Sequence, residues 1–369
     1  MKKILLILVG GTICTHKNEK GMLSVTEKAG ALLKSNFENS DSVFSDKVEI
    51  ELSDNLYILS ENMTIGKWNT IIETYRTLTK NKKYDGIIFA HGTDTLAYSA
   101  SLFSMLLSKV DIPVFFVSSN ERLKSPRSNG DANFKFAVEC ICRGISPNVY
   151  VTYKNLSDGQ MYLHLGSRLK QCENYSEDFY SADALNITDI SDLNFRDYFE
   201  KIDKLYPQSK RKSFINIYDD FKLYDCVLMI WPYTGINYDS FKYDRYSAVL
   251  HGTYHSGTAC SEKTEHNSKY SSSSILHMID VCANSEPVVD TYLSPSWTTG
   301  DIYETVGVIA NHSANNQKIN FLYGYTTETA YAKLVIAYSV FKSKKEIMDF
   351  INTECNFEKI DYKKGDREI

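Results

Sequence analysis

The feature that most constrains the fold is a series of short apolar runs that are almost uninterrupted by polar residues. They lie at 4–9, 86–90, 113–117, 149–153, 226–231, 248–250 and 306–310. Strands covered on both faces have this composition, because neither face of the strand meets water. We therefore predict buried strands of a mostly parallel sheet at these positions.

Patterns typical of amphipathic helices separate the runs. Residues 64–80 and 95–108 carry apolar side chains at helical spacing, and Ser343 with Glu346 predicts a capping box near the end of the chain. Alternation of strands and helices is typical of α/β folds. The predicted architecture is a larger N-terminal domain with a doubly wound, mostly parallel sheet and a smaller C-terminal α/β domain.

Length and one basic segment predict where these domains meet. The chain has 369 residues, about twice the usual length of one domain. The stretch 201–212 is polar and basic, contains Pro207 and has little apolar periodicity. We therefore predict an N-terminal domain over 1–200, a linker over 201–213 and a C-terminal domain over 214–369.

Charge and cysteine content exclude several classes of function. Lys and Arg number 41 against 46 Asp and Glu, a net charge of −5, which gives no electrostatic basis for a nucleic-acid or membrane partner. The eight cysteines are scattered without a C-x-x-C, which favours a reducing cytoplasm over a disulfide framework. The run at 4–9 resembles a short signal peptide, but no small-residue cleavage site follows, so a buried first strand is the preferred interpretation.

Small, hydroxyl-rich motifs follow three of the predicted strands. They are GGTI at 10–13, HGTDT at 91–95 and SSN at 118–120. Ligands of open parallel sheets bind at the carboxyl ends of strands, so the three motifs predict a single site, although each could alone be a turn with a helix cap. Nucleotide binding is not predicted, because GGTI lacks both the G-x-G-x-x-G spacing and a following G-K-[ST].

No metal or organic cofactor is predicted. His251 and His255 are four residues apart, but they lie in a strand-to-loop segment and no H-E-x-x-H is present. His91 precedes a turn and is interpreted as a structural residue rather than a base.

Four motifs together resemble the bacterial L-asparaginase family, and in particular its cytosolic, type I branch. They are GGTI at 10–13, LSENMT at 59–64, YDGIIFAHGTDTLAYSAS at 84–101 and PRSNGDANF at 126–134. The resemblance covers most of 1–200 and is weaker beyond, through 225–259 and TTETAYAKL at 326–334. It implies an asparaginase-like fold with a catalytic N-terminal domain, and an amidohydrolase that releases ammonia from L-asparagine, L-glutamine or a related small amide.

The resemblance also implies roles for single residues. Thr12 would be the nucleophile that forms an acyl-enzyme, and Thr93 the second reactive threonine. Asp94 would hold the α-amino group of the substrate and Ser60 its α-carboxylate. A threonine hydroxyl needs a neighbouring group to accept its proton, and a desolvated lysine can do so.

The family's lysine has two possible matches in the segment 166–181. Counting back from Phe179 gives Lys170, and counting forward from Gly166 gives Gln171. A one-residue deletion reconciles the two counts, and Lys170 is the lysine available there. We therefore predict Lys170 as the base.

Further positions complete the predicted substrate site. Gly11, Gly92 and Ser119 stand at the strand ends, and Glu61 follows the serine of LSENMT where relatives carry Gln or Ser. Met22 stands where the family's lid carries a tyrosine. These departures predict an altered substrate preference.

Two other functions remain open. One is a binding or sensor protein that keeps the fold but is catalytically impaired. The other is the asparaginase-like subunit of the archaeal tRNA-dependent amidotransferase, which normally carries an additional N-terminal domain that we do not expect here. The family resemblance also implies a homodimer or homotetramer, for which the aromatic strip 231–246 is a candidate interface or, equally, a core layer.

Overall fold

The computed structural model describes residues 1–17, 20–26, 28–181, 185–187, 195–263, 270–294 and 303–360. The chain divides into two units: the first comprises Met1–Asp220 and Glu354–Glu358, and the second begins at Phe221. The segment 201–213, predicted as a linker, lies inside the first unit. The physical reason is that it packs against the core of that unit, where Ile202 and Tyr206 are buried.

The first unit alternates strands with helices. Its strands are β1 Lys2–Leu8, β2 Thr15–Lys17, β3 Leu23–Val25, β4 Val48–Leu52, β5 Gly86–Ala90, β6 Val114–Val117, β7 Val149–Lys154, β8 Met161–Leu165, β9 Leu169–Lys170, β10 Tyr180–Ser181 and β11 Leu185–Ile187. Its helices are α1 Ala29–Glu38, α2 Ile65–Thr79, α3 Leu96–Leu106, α4 Gly130–Cys142 and α5 Phe195–Leu205.

Seven of these strands form one sheet, in the order β11-β8-β7-β6-β5-β1-β4. The five strands from β7 to β4 are parallel, and β8 and β11 pair antiparallel. The chain moves from β1 to β4 on one side and then to β5 on the other, which makes the carboxyl ends of β1 and β5 the topological switch point. The prediction of a doubly wound, mostly parallel sheet is confirmed.

The apolar runs form the core of this sheet because both of its faces are covered. Every residue of β5 is buried, as are Ile4–Leu8 in β1. On one of the covering helices, α2, Trp68, Ile71, Ile72 and Tyr75 are buried, and Thr64 caps its start by accepting a hydrogen bond from the Lys67 amide. These elements hold the strand ends of the switch point in place.

The second unit carries a smaller parallel sheet. Its strands are β12 Val227–Ile230, β13 Ala248–His251, β14 Asp290–Leu293, β15 Ser313–Ala314, β16 Gln317–Lys318 and β17 Asn320–Phe321, and its helices are α6 Ile275–Ala283, α7 Glu304–Asn311, α8 Thr327–Val340 and α9 Lys344–Asn352. The sheet order is β12-β13-β14-β17, and all three pairings are parallel. The smaller C-terminal α/β domain is thus present.

Two sequence predictions in this unit have different outcomes. The capping box of Ser343 and Glu346 begins α9, as predicted. The strand predicted at 306–310 is wrong, because these residues lie in α7, where Val306 and Ile309 are buried one helical turn apart.

The aromatic strip 231–246 is divided between core and surface. Tyr238 and Tyr243 belong to the core of the second unit, whereas Trp231 and Tyr233 are exposed. Within the described residues, no helix is both long and apolar enough to cross a bilayer.

Candidate active site

The carboxyl ends of β1 and β5 meet through two glycines. Gly11 follows β1 with a φ of 73°, in the left-handed region that other residues avoid. A methyl group built on Gly11 would lie 2.0 Å from the Cα atom of Gly92, and one on Gly92 would lie 2.4 Å from Ser60 Oγ. The Gly11 amide donates to the Ile58 carbonyl at 3.0 Å. Only glycine fits at Gly11 and Gly92, where the two motifs approach each other and the segment of Ser60. Thr12 and Thr93 are the residues that follow these two glycines.

Ser60 links its segment to the second threonine motif. Its hydroxyl donates to Asp94 Oδ2 at 2.8 Å, and its carbonyl oxygen accepts from Thr95 Oγ1 at 3.1 Å. Ser60 is buried, Thr12 and Thr93 are half-buried, and Asp94 is exposed. The structure therefore brings four of the predicted site residues to one edge of the sheet.

A cavity of about 450 Å³ opens beside the second threonine motif. It is lined by Thr93, Asp94, Asn120, Tyr153, Gln171, Cys172, Glu173, Asn174, Ser176, Glu177 and Phe179. The charged residues of this lining are carboxylates, namely Asp94, Glu173 and Glu177. A cavity with this charge favours ligands that carry a cationic group.

The structure places Lys170 outside this cavity. Its side chain is 61% exposed, and its Nζ lies 3.2 Å from Glu173 Oε1. Successive residues of an extended chain point to opposite sides, so Leu169 is buried, Lys170 faces solvent and Gln171 faces the cavity. The structure therefore does not bring Lys170 into the cavity, and its role as the base for Thr93 stays a prediction.

Gln171 instead joins the cavity wall to the second threonine motif. Its Nε2 donates to the Thr93 carbonyl oxygen at 2.7 Å, and its Oε1 accepts from the Ala97 amide at 3.2 Å. Ala97 lies in the first turn of α3, whose amides have no partner within the helix. Gln171 thus caps α3 and fixes the turn that carries Thr93.

Of the predicted site residues, Thr93 and Asp94 line the cavity. The others lie outside its lining, namely Gly11, Thr12, Ser60, Glu61, Gly92 and Ser119, and so does Met22. Ser119 is buried, and its hydroxyl is 2.9 Å from that of Ser128, within the loop that follows β6. The neighbouring Asn120 lines the cavity instead. Glu61 is exposed beside Ser60, and Met22 is 58% exposed in the turn between β2 and β3. The structure thus does not place Ser119 or Glu61 in the cavity.

Burial changes the protonation of two groups near the threonine motifs. His91 is fully buried with Nδ1 2.7 Å from the Gly92 carbonyl oxygen, and burial lowers its pKa to about 4. Burial, and then the charges of Asp178 and Glu177, raise the pKa of Cys172. Thus the imidazole is neutral and the thiol is protonated at pH 7, so neither is a strong base or nucleophile.

Among the described residues, no metal site accompanies the threonine motifs. Across the ranges that the structure describes, no group of three His, Cys, Asp or Glu side chains is arranged to hold a metal ion. His251 lies in β13 of the second unit, where its Nε2 is 2.7 Å from the Tyr238 hydroxyl.

Comparison with known families and sequences gives the relatives of the chain. The family described as "Asparaginase, N-terminal" matches residues 3–196. An L-asparaginase of Thermococcus kodakarensis is 30% identical over 152 residues, which is 41% of this chain and 44% of that protein. One subunit of the glutamyl-tRNA(Gln) amidotransferase of Methanococcus maripaludis is 26% identical over 246 residues, 66% of this chain and 56% of that protein. The chain thus spans less than two thirds of either relative.

Solved structures share the fold over almost the whole chain. The thermostable L-asparaginase from Thermococcus kodakarensis has a TM-score of 0.69 at 19% identity, covering 98% of this chain and 100% of that one. L-asparaginase I from Vibrio cholerae has a TM-score of 0.66 at 21% identity, covering 97% and 99%.

Proposed function

The chain belongs to the asparaginase family, and on that premise we propose that it hydrolyses the side-chain amide of L-asparagine or a related small amide, such as L-glutamine. The observation that carries the proposal is the contact of Gly11 with Gly92, from which Thr12 and the Thr93–Asp94 motif follow. Acyl transfer needs a nucleophile and substrate-binding groups within one site, and the close approach of the two glycines supports such a site because the two threonine motifs begin there.

In the proposed reaction Thr12 is the nucleophile. Its hydroxyl oxygen attacks the carbon of the amide, the carbon–nitrogen bond breaks, and the nitrogen leaves as ammonia with the proton lost by the hydroxyl. Water then attacks the resulting ester, which releases the carboxylic acid and returns the hydroxyl of Thr12.

Charged groups around the cavity support an amino-acid amide as the substrate. Asp94 is proposed to hold the α-amino group, because its carboxylate is exposed and already accepts the Ser60 hydroxyl. Glu173 and Glu177 add negative charge at the same cavity. The Ser60 hydroxyl can donate to the α-carboxylate only if it gives up its hydrogen bond to Asp94. We therefore propose that recognition of the ammonium group contributes most of the affinity.

Gln171 limits the part that Thr93 can take in catalysis. A carboxamide does not accept a proton near neutral pH, so it cannot replace a lysine base. We propose that Thr93 positions the substrate and that the reaction is slower than it would be with a lysine at 171.

A second candidate function is a protein that binds a small amide without hydrolysing it. Two observations favour it: a carboxamide at Gln171 where a lysine is expected, and a thioether at Met22 where the lid tyrosine is expected. The hydroxyl and carboxylate groups at the strand ends, namely those of Thr12, Ser60, Thr93 and Asp94, are sufficient for binding without hydrolysis.

Ammonia release distinguishes the two candidates. L-Asparagine, L-glutamine and other small amides are tested with the wild-type protein, with Thr12→Ala and with Thr93→Ala. Release that Thr12→Ala abolishes supports the hydrolase. A rise in the melting temperature with an amide, without ammonia from any protein, supports the binding protein.

Two matched variants test the assignment of the lysine position. Gln171→Lys places an amine at the cavity wall, and we expect it to increase kcat. Lys170→Gln removes the exposed amine, and we expect it to leave kcat unchanged. If Lys170→Gln abolishes ammonia release while Gln171→Lys has no effect, the proposed position is refuted.

We propose that the protein forms a homodimer or homotetramer. We propose the cytoplasm as its location. The exposed Trp231 and Tyr233 support an aromatic interface, and the eight free cysteines support a reducing compartment. Light scattering that finds a monomer at micromolar concentration would reject the oligomer.

A further inference from the structure

A second cavity of the first unit is lined by a basic segment that the proposed reaction does not use. Its volume is about 450 Å³, and its lining includes Lys210, Arg211 and Lys212 on one side and Glu354, Cys355 and Phe357 on the other. The two sides are joined by a hydrogen bond of 2.9 Å from the Lys212 amide to the Cys355 carbonyl oxygen. This basic cavity is therefore a fixed feature of one unit.

Arg211 in this cavity is buried without a hydrogen-bond partner for its guanidinium. The residue is 3% exposed, and its Nε and Nη1 have no acceptor among the described residues. An arginine retains its charge in proteins, although burial lowers the pKa of Arg211. A buried cation without hydrogen bonds is unfavourable unless an anion binds to it.

Two carboxylates beside this segment are engaged elsewhere. Asp203 acts on Arg211 through its charge but accepts its hydrogen bond from the Ser146 hydroxyl. Glu358 is buried and accepts from the Cys355 amide at 2.8 Å and from the Asn356 amide at 2.6 Å. Neither carboxylate therefore supplies the guanidinium with an acceptor.

The balance of charge defines the ligand. Lys210, Arg211 and Lys212 give the lining three positive charges and Glu354 gives it one negative charge, and Asp203 outside the lining offsets one more, so one positive charge remains in excess. Lys210 and Lys212 are exposed on either side of Arg211, where flexible ammonium groups can reach a ligand from solvent. An arginine fork with flanking lysines is typical of phosphate recognition, and a phosphate group carries close to two negative charges at pH 7.

We propose that the cavity lined by Lys210, Arg211 and Lys212 binds a phosphate dianion, as the free ion or as a phosphomonoester. The Arg211 guanidinium donates to one of the phosphate oxygens, and the two lysines neutralise the remaining charge. The site is separate from the threonine motifs and does not depend on the proposed hydrolysis.

Binding is measured on the full chain by calorimetric titration and by the melting temperature, at constant ionic strength set with chloride. Inorganic phosphate, glycerol phosphate and succinate are the three ligands. We expect saturable binding of inorganic phosphate, and binding of glycerol phosphate as well if the cavity admits an ester. Binding of succinate as tight as that of inorganic phosphate, or no binding of either phosphate compound, would overturn the proposal.

Arg211→Gln removes the charged fork. We expect its affinity for inorganic phosphate to be about tenfold to a hundredfold weaker, as for loss of a charge-assisted hydrogen bond. Without phosphate, we expect a melting temperature no lower than that of the wild-type protein, because the buried unpaired charge is gone. Unchanged affinity refutes the assignment of Arg211.

A surface variant guards against misfolding of Arg211→Gln. The double variant Lys210→Gln with Lys212→Gln changes only exposed side chains, and we expect weaker phosphate binding. Its matched control, Lys80→Gln with Lys83→Gln, removes the same charge from exposed positions outside the cavity. Equal affinity of the two double variants would overturn the proposal.

Discussion

Replacement of Gly11 by alanine tests the central feature of the site, the contact between the ends of β1 and β5. The added methyl group would lie 2.0 Å from the Cα atom and 2.4 Å from the nitrogen of Gly92. Both are backbone atoms, which cannot rotate away as the end of a flexible side chain can. The strands must therefore separate locally or the chain must adopt another backbone conformation.

The magnitude follows from two costs. Alanine at the φ of 73° and ψ of −173° of Gly11, a conformation that almost only glycine adopts, costs about 1–3 kcal/mol, and forcing a methyl group into packed backbone costs about 1–3 kcal/mol more. Gly144→Ala is the matched control, because Gly144 has a φ of 83° but no atom within 4 Å of the added methyl group. The control therefore carries the cost of alanine at a positive φ, but not the cost of the close contact.

Calorimetry and hydrogen exchange measure the difference. We expect Gly11→Ala to melt about 2–12 °C below Gly144→Ala, since a unit of this size loses about 2–4 °C for each kcal/mol. We also expect faster amide exchange in β1 and β5 of Gly11→Ala than in the control. Equal melting temperatures and equal exchange would refute the close approach of Gly11 and Gly92.

Three further variants test local interactions by denaturant unfolding. Ser343→Ala removes the capping box with Glu346, and we expect a loss of about 0.5–2 kcal/mol of unfolding free energy, with equal stability counting against the cap. Burial lowers the pKa of His91 to about 4, so the free energy of unfolding falls as the pH drops from 6.5 towards 4. We expect this dependence on pH to be weaker in His91→Gln, and an unchanged dependence contradicts the prediction. Lys82 contributes most to lowering the pKa of Glu51 to about 2, so the interaction of the Glu51 carboxylate stabilises the fold above pH 4.5 and is lost towards pH 2. We expect Glu51→Gln to be less stable than the wild-type protein at pH 7 but not at pH 2. A difference that persists at pH 2 rejects the ion pair.

The larger sheet is predictable because its sequence patterns are long and mutually consistent. Runs such as 86–90 are apolar throughout, as both faces of the strand are covered, and the predicted run coincides with β5. Helix and strand are harder to distinguish in a run of five apolar residues, and the strand predicted over 306–310 is wrong for that reason. Its two buried residues, Val306 and Ile309, fit one face of a helix, and tertiary packing decides between the alternatives.

The position of the lysine could not be settled by counting residues along the chain. The two counts differ by one residue, and a shift of one residue in an extended segment moves a side chain to the opposite side. β9 contains only Leu169 and Lys170, too short for its alternation to be recognised in the sequence. Its pairing with β10, which opposes Lys170 to Tyr180, fixes which side chain faces the cavity.

The hydrogen bonds of Gln171 explain why a carboxamide at this position is structurally favourable. Its oxygen accepts from the Ala97 amide in the first turn of α3, and its nitrogen donates to the Thr93 carbonyl oxygen. A lysine ammonium only donates, so Gln171→Lys keeps the second interaction and leaves the Ala97 amide without this acceptor. We therefore expect that variant to lose about 0.5–1.5 kcal/mol of stability even where it gains activity. A gain in activity without a loss of stability would show that the cap on α3 contributes nothing, and that Gln171 matters only for the missing amine.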